Sequence, residues 1–278
     1  MVRLPRRSDL SLQERIGIGV SGPIEDAMEW AADNDVHFIE TRPVSLQPDG
    51  YTDEDVSRIQ ELGVTHDITL GLHSLSGVNT AATEPHVESG VDQYLRSYID
   101  LAGRLRTDNG RFEVYVVVHP GYHFTADESI RREKSITRLR EIGSIADSAQ
   151  VPTVMCNMNP ESERSEIQYL ASDLEDCLRY EEAVLSSDIE WAFNAPHAHL
   201  GEGIQAYVEG LDVDRFSHVR LNDNDGIEEK HLIPGTGTID FDAVFASLED
   251  AGFSGQYILR FGSRSDMLES RNRLLDAA

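Results

Sequence analysis

The chain has 278 residues, 40% of them hydrophobic, which bounds it to one large domain or two small ones with an ample core. Its formal net charge is −26, from 50 Asp and Glu against 24 Lys and Arg; this acidity is typical of a protein working in concentrated salt and disfavours a nucleic-acid partner. Two cysteines, Cys156 and Cys177, exclude a disulfide framework and indicate a reducing compartment.

The N-terminal segment, residues 1 to 14, is predicted to be a tail that precedes the folded domain. It contains two arginine-bearing clusters but no apolar segment after them, so it does not have the pattern of a secretory signal. No apolar run elsewhere approaches the roughly 20 residues that a membrane-spanning helix needs. We therefore expect a soluble, cytoplasmic protein.

Short apolar runs alternate with longer amphipathic stretches along the rest of the chain. Several of the runs are apolar on both faces, as parallel strands covered by helices tend to be. The eight runs begin at Arg15, Val36, Ile68, Phe112, Pro152, Ile189, Phe216 and Gln256. Apolar residues at helical spacing predict helices over Val87 to Leu105, Glu128 to Ala149 and Phe241 to Ala251.

Eight such strand-and-helix units predict the α/β class and a single (β/α)₈ TIM barrel, with one domain over residues 1–278. The alternative is a doubly wound open sheet, which needs a glycine fingerprint after the first strand. The stretch GVSGP, Gly19 to Pro23, is too sparse in glycine to be that fingerprint. No internal repeat or linker divides the chain, so the barrel is the preferred prediction.

Polar and titratable side chains follow seven of the eight predicted strands. They are Glu40, His73, His119, Cys156 with Asn157, Asn194 with His197, Arg220 with Asn222 and Asp223, and Arg260. Glu229 and His231 follow in the long loop after the seventh strand. Because the carboxyl ends of barrel strands meet at one mouth, where TIM-barrel chemistry is located, we expect these side chains to form a functional site.

The sequence resembles a known family in several of these motifs. They are GLHS, VVVHPG, FNAPHAH, HVRLNDNDG with EKHLIPGTGTIDF, and GQYILRF, and they follow the order of the xylose-isomerase-like TIM-barrel superfamily. The resemblance runs from about Arg15 to about Phe261, and its most specific part is the ending H-L-x-P-G-x-G-x-I-D-F. The superfamily contains sugar and sugar-phosphate isomerases and epimerases, as well as endonuclease-IV-type enzymes that cut DNA at abasic sites.

The resemblance also implies a departure at the metal site. Isomerases of the superfamily hold a divalent metal with residues of strands five to eight, and the matching positions here are Cys156, Asn194, Arg220 and Arg260. Arginine stays protonated near neutral pH, so a cation beside two guanidinium groups would meet like charge. We expect Arg220 and Arg260, with Asn194 and Asn222, to bind an anionic substrate instead. The alternative is that the arginines pair internally with Glu40, Asp223 or Glu229.

Other ligand-like residues are retained. The resemblance to the endonuclease-type members makes His197, Glu229 and His231 the counterparts of a zinc site, and two imidazoles with a carboxylate can hold Zn or Mn. A second group is His73 and His119 with Cys156, whose sulfur would make a softer site. The alternative for both groups is a set of hydrogen-bonded histidines without metal.

The predicted catalytic residues are Glu40, His73, His119 and Cys156. Imidazole titrates near pH 7 and can move protons, and Glu40 can orient one of the histidines. Cys156 could act as a nucleophile beside His119, although a buried inert thiol is the commoner outcome. His218, at the start of the seventh strand, is expected to face the helix layer and to be structural.

Three functions remain open at this point. The first is a sugar phosphate isomerase or epimerase-like protein that acts on a small anionic sugar-like compound with the usual metal site replaced. The second is a non-catalytic binding barrel, and the third is a metal-dependent endonuclease for abasic DNA. The expected partner is a small anionic ligand, and no membrane or nucleic-acid partner is expected. A homo-oligomer is compatible with the sequence. Binding of a basic partner is the alternative to concentrated salt as the explanation of the acidic composition.

Overall fold

Eight parallel strands form a closed barrel, which confirms the predicted (β/α)₈ fold. The computed structural model describes residues 11–43, 47–107, 110–124, 126–184 and 189–277. The barrel strands are β1 Ile16–Ser21, β2 Phe38–Arg42, β3 Thr69–His73, β4 Val114–Val118, β6 Thr153–Cys156, β8 Ile189–Asn194, β9 Phe216–Leu221 and β10 Gln256–Leu259. Two short strands, β5 Tyr122–Phe124 and β7 Ile167–Tyr169, form a separate antiparallel pair. The barrel closes where β1 pairs with β10.

Helices cover the outside of the barrel. They are α1 Leu12–Arg15, α2 Ile24–Asp33, α3 Asp53–Thr65, α4 Pro85–Leu105, α5 Glu128–Ser148, α6 Leu174–Ala183, α7 Ala195–Leu200, α8 Ile204–Gly210, α9 Phe241–Asp250 and α10 Arg264–Ala277. Each predicted strand begins within two residues of the observed one, and the three predicted helices match α4, α5 and α9. No helix in the described ranges is long and apolar enough to cross a membrane.

Local sequence accounts for where several elements begin. Thr52 and Asp55 form a capping box at the start of α3, in which each side chain accepts a hydrogen bond from the other residue's backbone N–H. Asp240 caps α9, where its side chain accepts a hydrogen bond from Ala243 N. Gly17 is needed because a Cβ there would lie 2.4 Å from the carbonyl oxygen of Phe38 on the neighbouring strand β2.

Part of the predicted tail is structured. Ser11 caps α1, and the Nε of Arg15 donates a hydrogen bond to the carbonyl of Gly255, at 2.8 Å. This contact ties the start of β1 to the loop before β10 at the bottom of the barrel. Residues 1–10 lie outside the described residues.

The barrel interior has an apolar and a charged half. A small cluster that is separate from the main core consists of Tyr115, Val117, Val154, Cys156, Met158 and Ala192, with Tyr169 packed against it. On the other side, Glu40, His218 and Arg220 are all buried. The cluster spans β4, β6 and β8, whereas the charged Glu40 and Arg220 and the imidazole of His218 come from β2 and β9. The floor of the mouth is therefore apolar on one side and ionic on the other.

Candidate functional site

A cavity of about 160 Å³ opens at the carboxyl ends of the strands. This volume is comparable with the roughly 150 Å³ that accommodates benzene in an engineered apolar cavity, so there is room for a small ligand. Ten of the eleven predicted site residues line it: His73, His119, Cys156, Asn194, His197, Arg220, Asn222, Glu229, His231 and Arg260. The eleventh, Glu40, lies beneath the cavity and is fully buried.

Glu40 is the ionic centre under the cavity floor. Its Oε1 accepts hydrogen bonds from Arg220 Nη2 at 2.5 Å and Arg260 Nη1 at 3.4 Å, and lies 2.7 Å from His73 Nδ1. Burial alone would raise the pKa of Glu40, but Arg220 and then His73 hold it well below its usual range. Glu40 is therefore a carboxylate that compensates buried positive charge, and the arginines pair with it as the internal-pairing alternative proposed.

The contact with Glu40 fixes the tautomer of His73. Because a carboxylate oxygen lies 2.7 Å from Nδ1, that nitrogen carries the proton and donates it, which leaves Nε2 as the acceptor. Burial and then Arg220 hold the pKa of His73 well below its ordinary value. Burial likewise lowers the pKa of His119, whose ring centroid is 4.9 Å from that of His73, to about 3. Both imidazoles are neutral at neutral pH.

The arginines at the mouth are only partly neutralised. Arg220 is held between Glu40 and the Sγ of Cys156, to which its Nη1 donates at 3.3 Å, and Glu40 raises its pKa although burial acts in the opposite direction. Burial and then the charge of Arg220 lower the pKa of Arg260 to about 10. Arg42, which the sequence did not single out, also lines the cavity, and its Nε is buried without a hydrogen-bond partner among the described residues.

The cavity is positive although the chain is strongly acidic. The described residues that line it include three arginines, Arg42, Arg220 and Arg260, but a single carboxylate, that of Glu229. Counting Glu40 beneath the floor, these five groups sum to +1 with the histidines neutral, against −26 for the whole chain. Such a local reversal of charge concentrates anions.

A divalent cation does not fit at the positions of Cys156, Asn194, Arg220 and Arg260. The guanidinium of Arg220 already contacts the Cys156 sulfur, and guanidinium groups offer only N–H donors. Burial raises the pKa of Cys156, which keeps it a thiol rather than a metal-binding thiolate. The group of His73, His119 and Cys156 depends on the same sulfur, which stays a thiol in contact with Arg220 Nη1.

His197, Glu229 and His231 do come together at the wall of the cavity. The Nδ1 atoms of His197 and His231 face the carbonyls of Asn157 and Arg260, at 2.8 and 3.2 Å, so Nε2 is the acceptor nitrogen of both rings. The Nε2 of His197 accepts a hydrogen bond from Asn194 Nδ2 at 3.1 Å. The Glu229 carboxylate lies 3.6 Å from His197 Nε2 and 3.3 Å from His231 Nε2, and its Oε2 is buried without a hydrogen-bond partner in the described structure.

These three side chains have the donor types of a divalent site without a closed coordination geometry. Within the described residues, no group of three or more His, Cys, Asp or Glu is placed to hold a metal ion as it stands. The nitrogen-to-oxygen separations are nevertheless near the roughly 3.4 Å expected between two ligands of a tetrahedral ion with 2.0 to 2.1 Å bonds.

The prediction that His218 faces the helix layer is wrong. His218 and Arg220 are two residues apart on β9, so their side chains point to the same face, which is the barrel interior. The Nε2 of His218 lies 3.5 Å from Glu40 Oε2, and its ring packs against Tyr115. Burial lowers the pKa of His218 to about 4, so it is neutral at neutral pH.

The loop that carries Glu229 and His231 is folded around Asp223. The buried carboxylate accepts hydrogen bonds from Asn224 N at 2.9 Å and Ile239 N at 3.1 Å through Oδ1, and from Gly235 N at 2.9 Å and Gly237 N at 2.8 Å through Oδ2. The motif PGTGTID therefore wraps a carboxylate with its backbone. A Cβ at Gly237 would lie 2.4 Å from Asp223 Oδ1, which explains the glycine.

The strand pair β5–β7 adds an apolar wall that the sequence analysis missed. Tyr169 of β7 lines the cavity with Met158, whose backbone N–H donates to the carbonyl of Ala171 at 2.8 Å. The ring of Tyr169 is held edge-on by Tyr122 of β5. Only three residues form each strand, too few for a recognisable alternation, although the aromatic residues around Tyr122 were an available signal.

Comparisons with known proteins agree with this architecture. Residues 28–277 match the model of a family described as xylose isomerase-like TIM barrel. An uncharacterized protein of Methanocaldococcus jannaschii is 24% identical over 227 residues, which cover 80% of this chain and 74% of that protein.

Solved structures with the same fold include epimerases and an endonuclease. A D-tagatose 3-epimerase-like protein has a TM-score of 0.78 and 24% identity, with 94% of this chain and 96% of that chain covered. The D-psicose 3-epimerase of Clostridium cellulolyticum has a TM-score of 0.71 and 16% identity, with 95% and 97% covered. Endonuclease IV of Thermus thermophilus has a TM-score of 0.73 and 18% identity, with 95% and 98% covered. At these identities the likeness concerns the fold.

Proposed function

Because the chain belongs to the xylose isomerase-like TIM-barrel family, we propose that it acts on a small anionic sugar-like compound by isomerisation, epimerisation or a related proton transfer, with arginines in place of the usual cation. The observation that carries this proposal is the cluster of Arg42, Arg220 and Arg260 around a cavity with one lining carboxylate. An anionic ligand would complete the charge balance of that cavity.

Arg260 is the residue best placed to bind the anion. Its Nη1 donates to Glu40 Oε1, but within the described structure its Nε and Nη2 make no hydrogen bond. Its depressed pKa, caused by burial and by Arg220, reflects unfavourable interactions that a bound anion would relieve. A planar guanidinium can then hold a carboxylate or phosphate with two parallel hydrogen bonds.

His73 is the best candidate for the base. Its Nδ1–H is held by Glu40, so Nε2 is free to accept a proton from a carbon next to a substrate carbonyl. As that C–H bond breaks, its electron pair forms a C=C bond and the carbonyl π electrons move to oxygen. Arg220 and Arg260 would stabilise the resulting negative charge. Protonation of the same carbon on its other face, by a second acid, restores the carbonyl and gives the epimer. Protonation of the former carbonyl carbon, with transfer of the hydroxyl proton of the first carbon to the enolate oxygen, gives the isomer.

We expect Arg260→Gln to weaken binding of small sugar phosphates and sugar acids by about 10- to 100-fold, the scale of charge-assisted hydrogen bonds. Ligand-induced shifts in Tm and isothermal calorimetry measure this. The control is Arg273→Gln, because Arg273 is exposed on α10 and pairs only with Glu269 among the described residues. Unchanged ligand affinity in Arg260→Gln would refute the anion-binding role. If a ligand binds but none of its carbon-bound hydrogens exchanges with D₂O, the result favours a non-catalytic binding barrel over an isomerase or epimerase.

We also propose that His197, Glu229 and His231 hold one Zn or Mn ion. When bound, such an ion supplies a Lewis acid with an open coordination position. The supporting observation is that Glu229 Oε2 is buried without a hydrogen-bond partner among the described residues, while the Nε2 atoms of His197 and His231 lie 3.6 and 3.3 Å from this carboxylate. An ion bound to His197 Nε2 would replace the hydrogen bond that this nitrogen accepts from Asn194 Nδ2.

Removing one imidazole should therefore reduce metal affinity. We expect His231→Ala to lower the affinity for zinc at least about tenfold, as for loss of groups around a bound metal. The control is His86→Ala, because His86 is exposed near the start of α4. Metal content by mass spectrometry after dialysis is the readout, and equal zinc in both variants contradicts the proposal. Incision of abasic-site DNA by the zinc-loaded protein in molar salt would favour the endonuclease function over the epimerase function.

A further inference from the structure

A second groove adjoins the cavity on the far side of Arg260 and His231. It has a volume of about 430 Å³ and lies between the end of β1, the end of β10 and the start of α10. Arg260 and His231 line both the groove and the cavity, so the two spaces share a wall. The groove is thus placed to receive a part of a ligand that extends out of the cavity.

The composition of the groove is unusual for this chain. None of the described residues that line it is Asp or Glu, whereas Arg260 and Arg264 both do. The chain as a whole carries 50 acidic against 24 basic residues, and the groove along α4 is lined by four carboxylates, those of Asp49, Glu88, Asp92 and Asp100. The groove beside the site therefore differs from the rest of the chain in having no lining carboxylate.

Arg264 is held in position at the edge of this groove. Its guanidinium lies 5.7 Å from the ring centroid of Trp30, and its Nη1 donates to the carbonyl of Asp26 at 3.3 Å. No other hydrogen bond from this guanidinium occurs within the described residues, so several donors are left for a ligand. The nearby carboxylate of Asp266 keeps its charge but does not line the groove, and its Oδ2 accepts from Ser263 N at 2.8 Å and from Ser263 Oγ at 2.7 Å.

A glycine on β1 leaves room for the Arg260 side chain to line both the cavity and the groove. A Cβ at Gly19 would lie 3.3 Å from the side-chain carbons of Arg260, so a larger residue on β1 would press against the arginine. Its Nη1 donates inward to Glu40, and the Arg260 side chain lines both the cavity and the groove. Two cationic side chains therefore face one space with no lining carboxylate to neutralise them.

We propose that the groove is a second anion subsite, which binds a phosphate or carboxylate at the far end of the same ligand. The ligand class would then be a small compound with two anionic groups, such as a phosphorylated sugar acid. One group would contact the arginines of the cavity, and the other would contact Arg264 and the outer side of Arg260. This inference rests on the proposed function, because it assumes that the cavity itself binds an anion.

The test compares ligands with one and two anionic groups. Calorimetry at constant ionic strength gives the Kd of glycerate, 3-phosphoglycerate and malate for the wild type and for Arg264→Gln, Ser21→Asp and Arg273→Gln. We expect at least one two-anion ligand to bind about tenfold more tightly than glycerate. Its chemistry, phosphate or carboxylate, identifies the group that the groove prefers. Arg264→Gln and Ser21→Asp, which alter the groove in different ways, should bring the ratio of Kd values near one, whereas Arg273→Gln should leave it unchanged.

Two results would overturn the inference in distinguishable ways. If glycerate binds but neither two-anion ligand binds more tightly, or if Arg273→Gln reduces the ratio as much as Arg264→Gln, the groove is not an anion subsite and the proposed function stands. If none of the three ligands binds, the cavity does not bind such anions, and the proposed function fails together with the inference.

Discussion

Glu40→Gln is expected to lower the free energy of unfolding by about 3 to 5 kcal/mol, the cost of removing one partner from a buried ion pair. Glu40 is fully buried, and its carboxylate compensates the charge of Arg220, which is 4% exposed. Glutamine has nearly the same shape, but it leaves Arg220 and Arg260 without a counter-charge at close range. Because folded domains are stable by about 5 to 15 kcal/mol, this is a large fraction of the total.

Urea denaturation at fixed ionic strength measures this change without altering the salt concentration. Glu269→Gln is the matched control: Glu269 pairs with Arg273 on the surface, where exposed pairs contribute about 0 to 1 kcal/mol. The double variant Glu40→Gln with Arg220→Met should recover part of the loss, since it removes the unpaired charge. If Glu40→Gln unfolds at the same urea concentration as Glu269→Gln, Glu40 does not compensate the arginines as we describe.

Asp223→Ala is expected to disorganise the loop that carries Glu229 and His231. The variant removes the acceptor of four backbone N–H groups, and each buried donor left unsatisfied costs about 1 to 3 kcal/mol. The four costs do not simply add, because the loop can open locally and expose these N–H groups to water. We therefore expect the free energy of unfolding to fall by about 3 kcal/mol or more, together with weaker ligand and metal binding. The effect on binding arises although Asp223 does not line the cavity.

Amide hydrogen exchange separates this local effect from general destabilisation. In Asp223→Ala the amides of Gly235, Gly237 and Ile239 should exchange much faster, whereas those of β3 and β4 on the other side of the barrel should change little. Asp223→Asn, which keeps one carbonyl oxygen as acceptor, should be intermediate. If the three amides are as well protected from exchange in Asp223→Ala as in the wild type, the backbone holds the loop without the carboxylate.

Much of the fold was accessible from the chain itself. Runs such as that from Ile68 are typical of strands because they are short, apolar on both faces and separated by helical patterns, and each lies within two residues of its observed start. The barrel follows from eight repeats of this unit. Ten predicted site residues line one cavity for a related reason: strand ends meet at one mouth, so residues that are distant in sequence need only follow a strand.

The pairing within the site was not accessible in the same way. The sequence left open whether Arg220 and Arg260 bind a ligand or pair with Glu40; the structure places both on Glu40 and still leaves donors of Arg260 uncommitted. Arg42 was overlooked because it is the last residue of β2, two positions after Glu40, where one strand end offered two candidates. The second groove could not be inferred, since it depends on which surfaces lie beside Arg260.

The sequence by itself determined the eight barrel strands and the set of polar residues at their carboxyl ends, because both depend on local composition and periodicity. Only the tertiary structure decided which side chains face inward. His218 illustrates the reason: a strand buried on both faces has no alternation of polar and apolar residues that distinguishes the inside from the outside. The direction of the His218 and Arg220 side chains, and with it the charge of the cavity, is set by how β9 packs between β8 and β10 in the closed barrel.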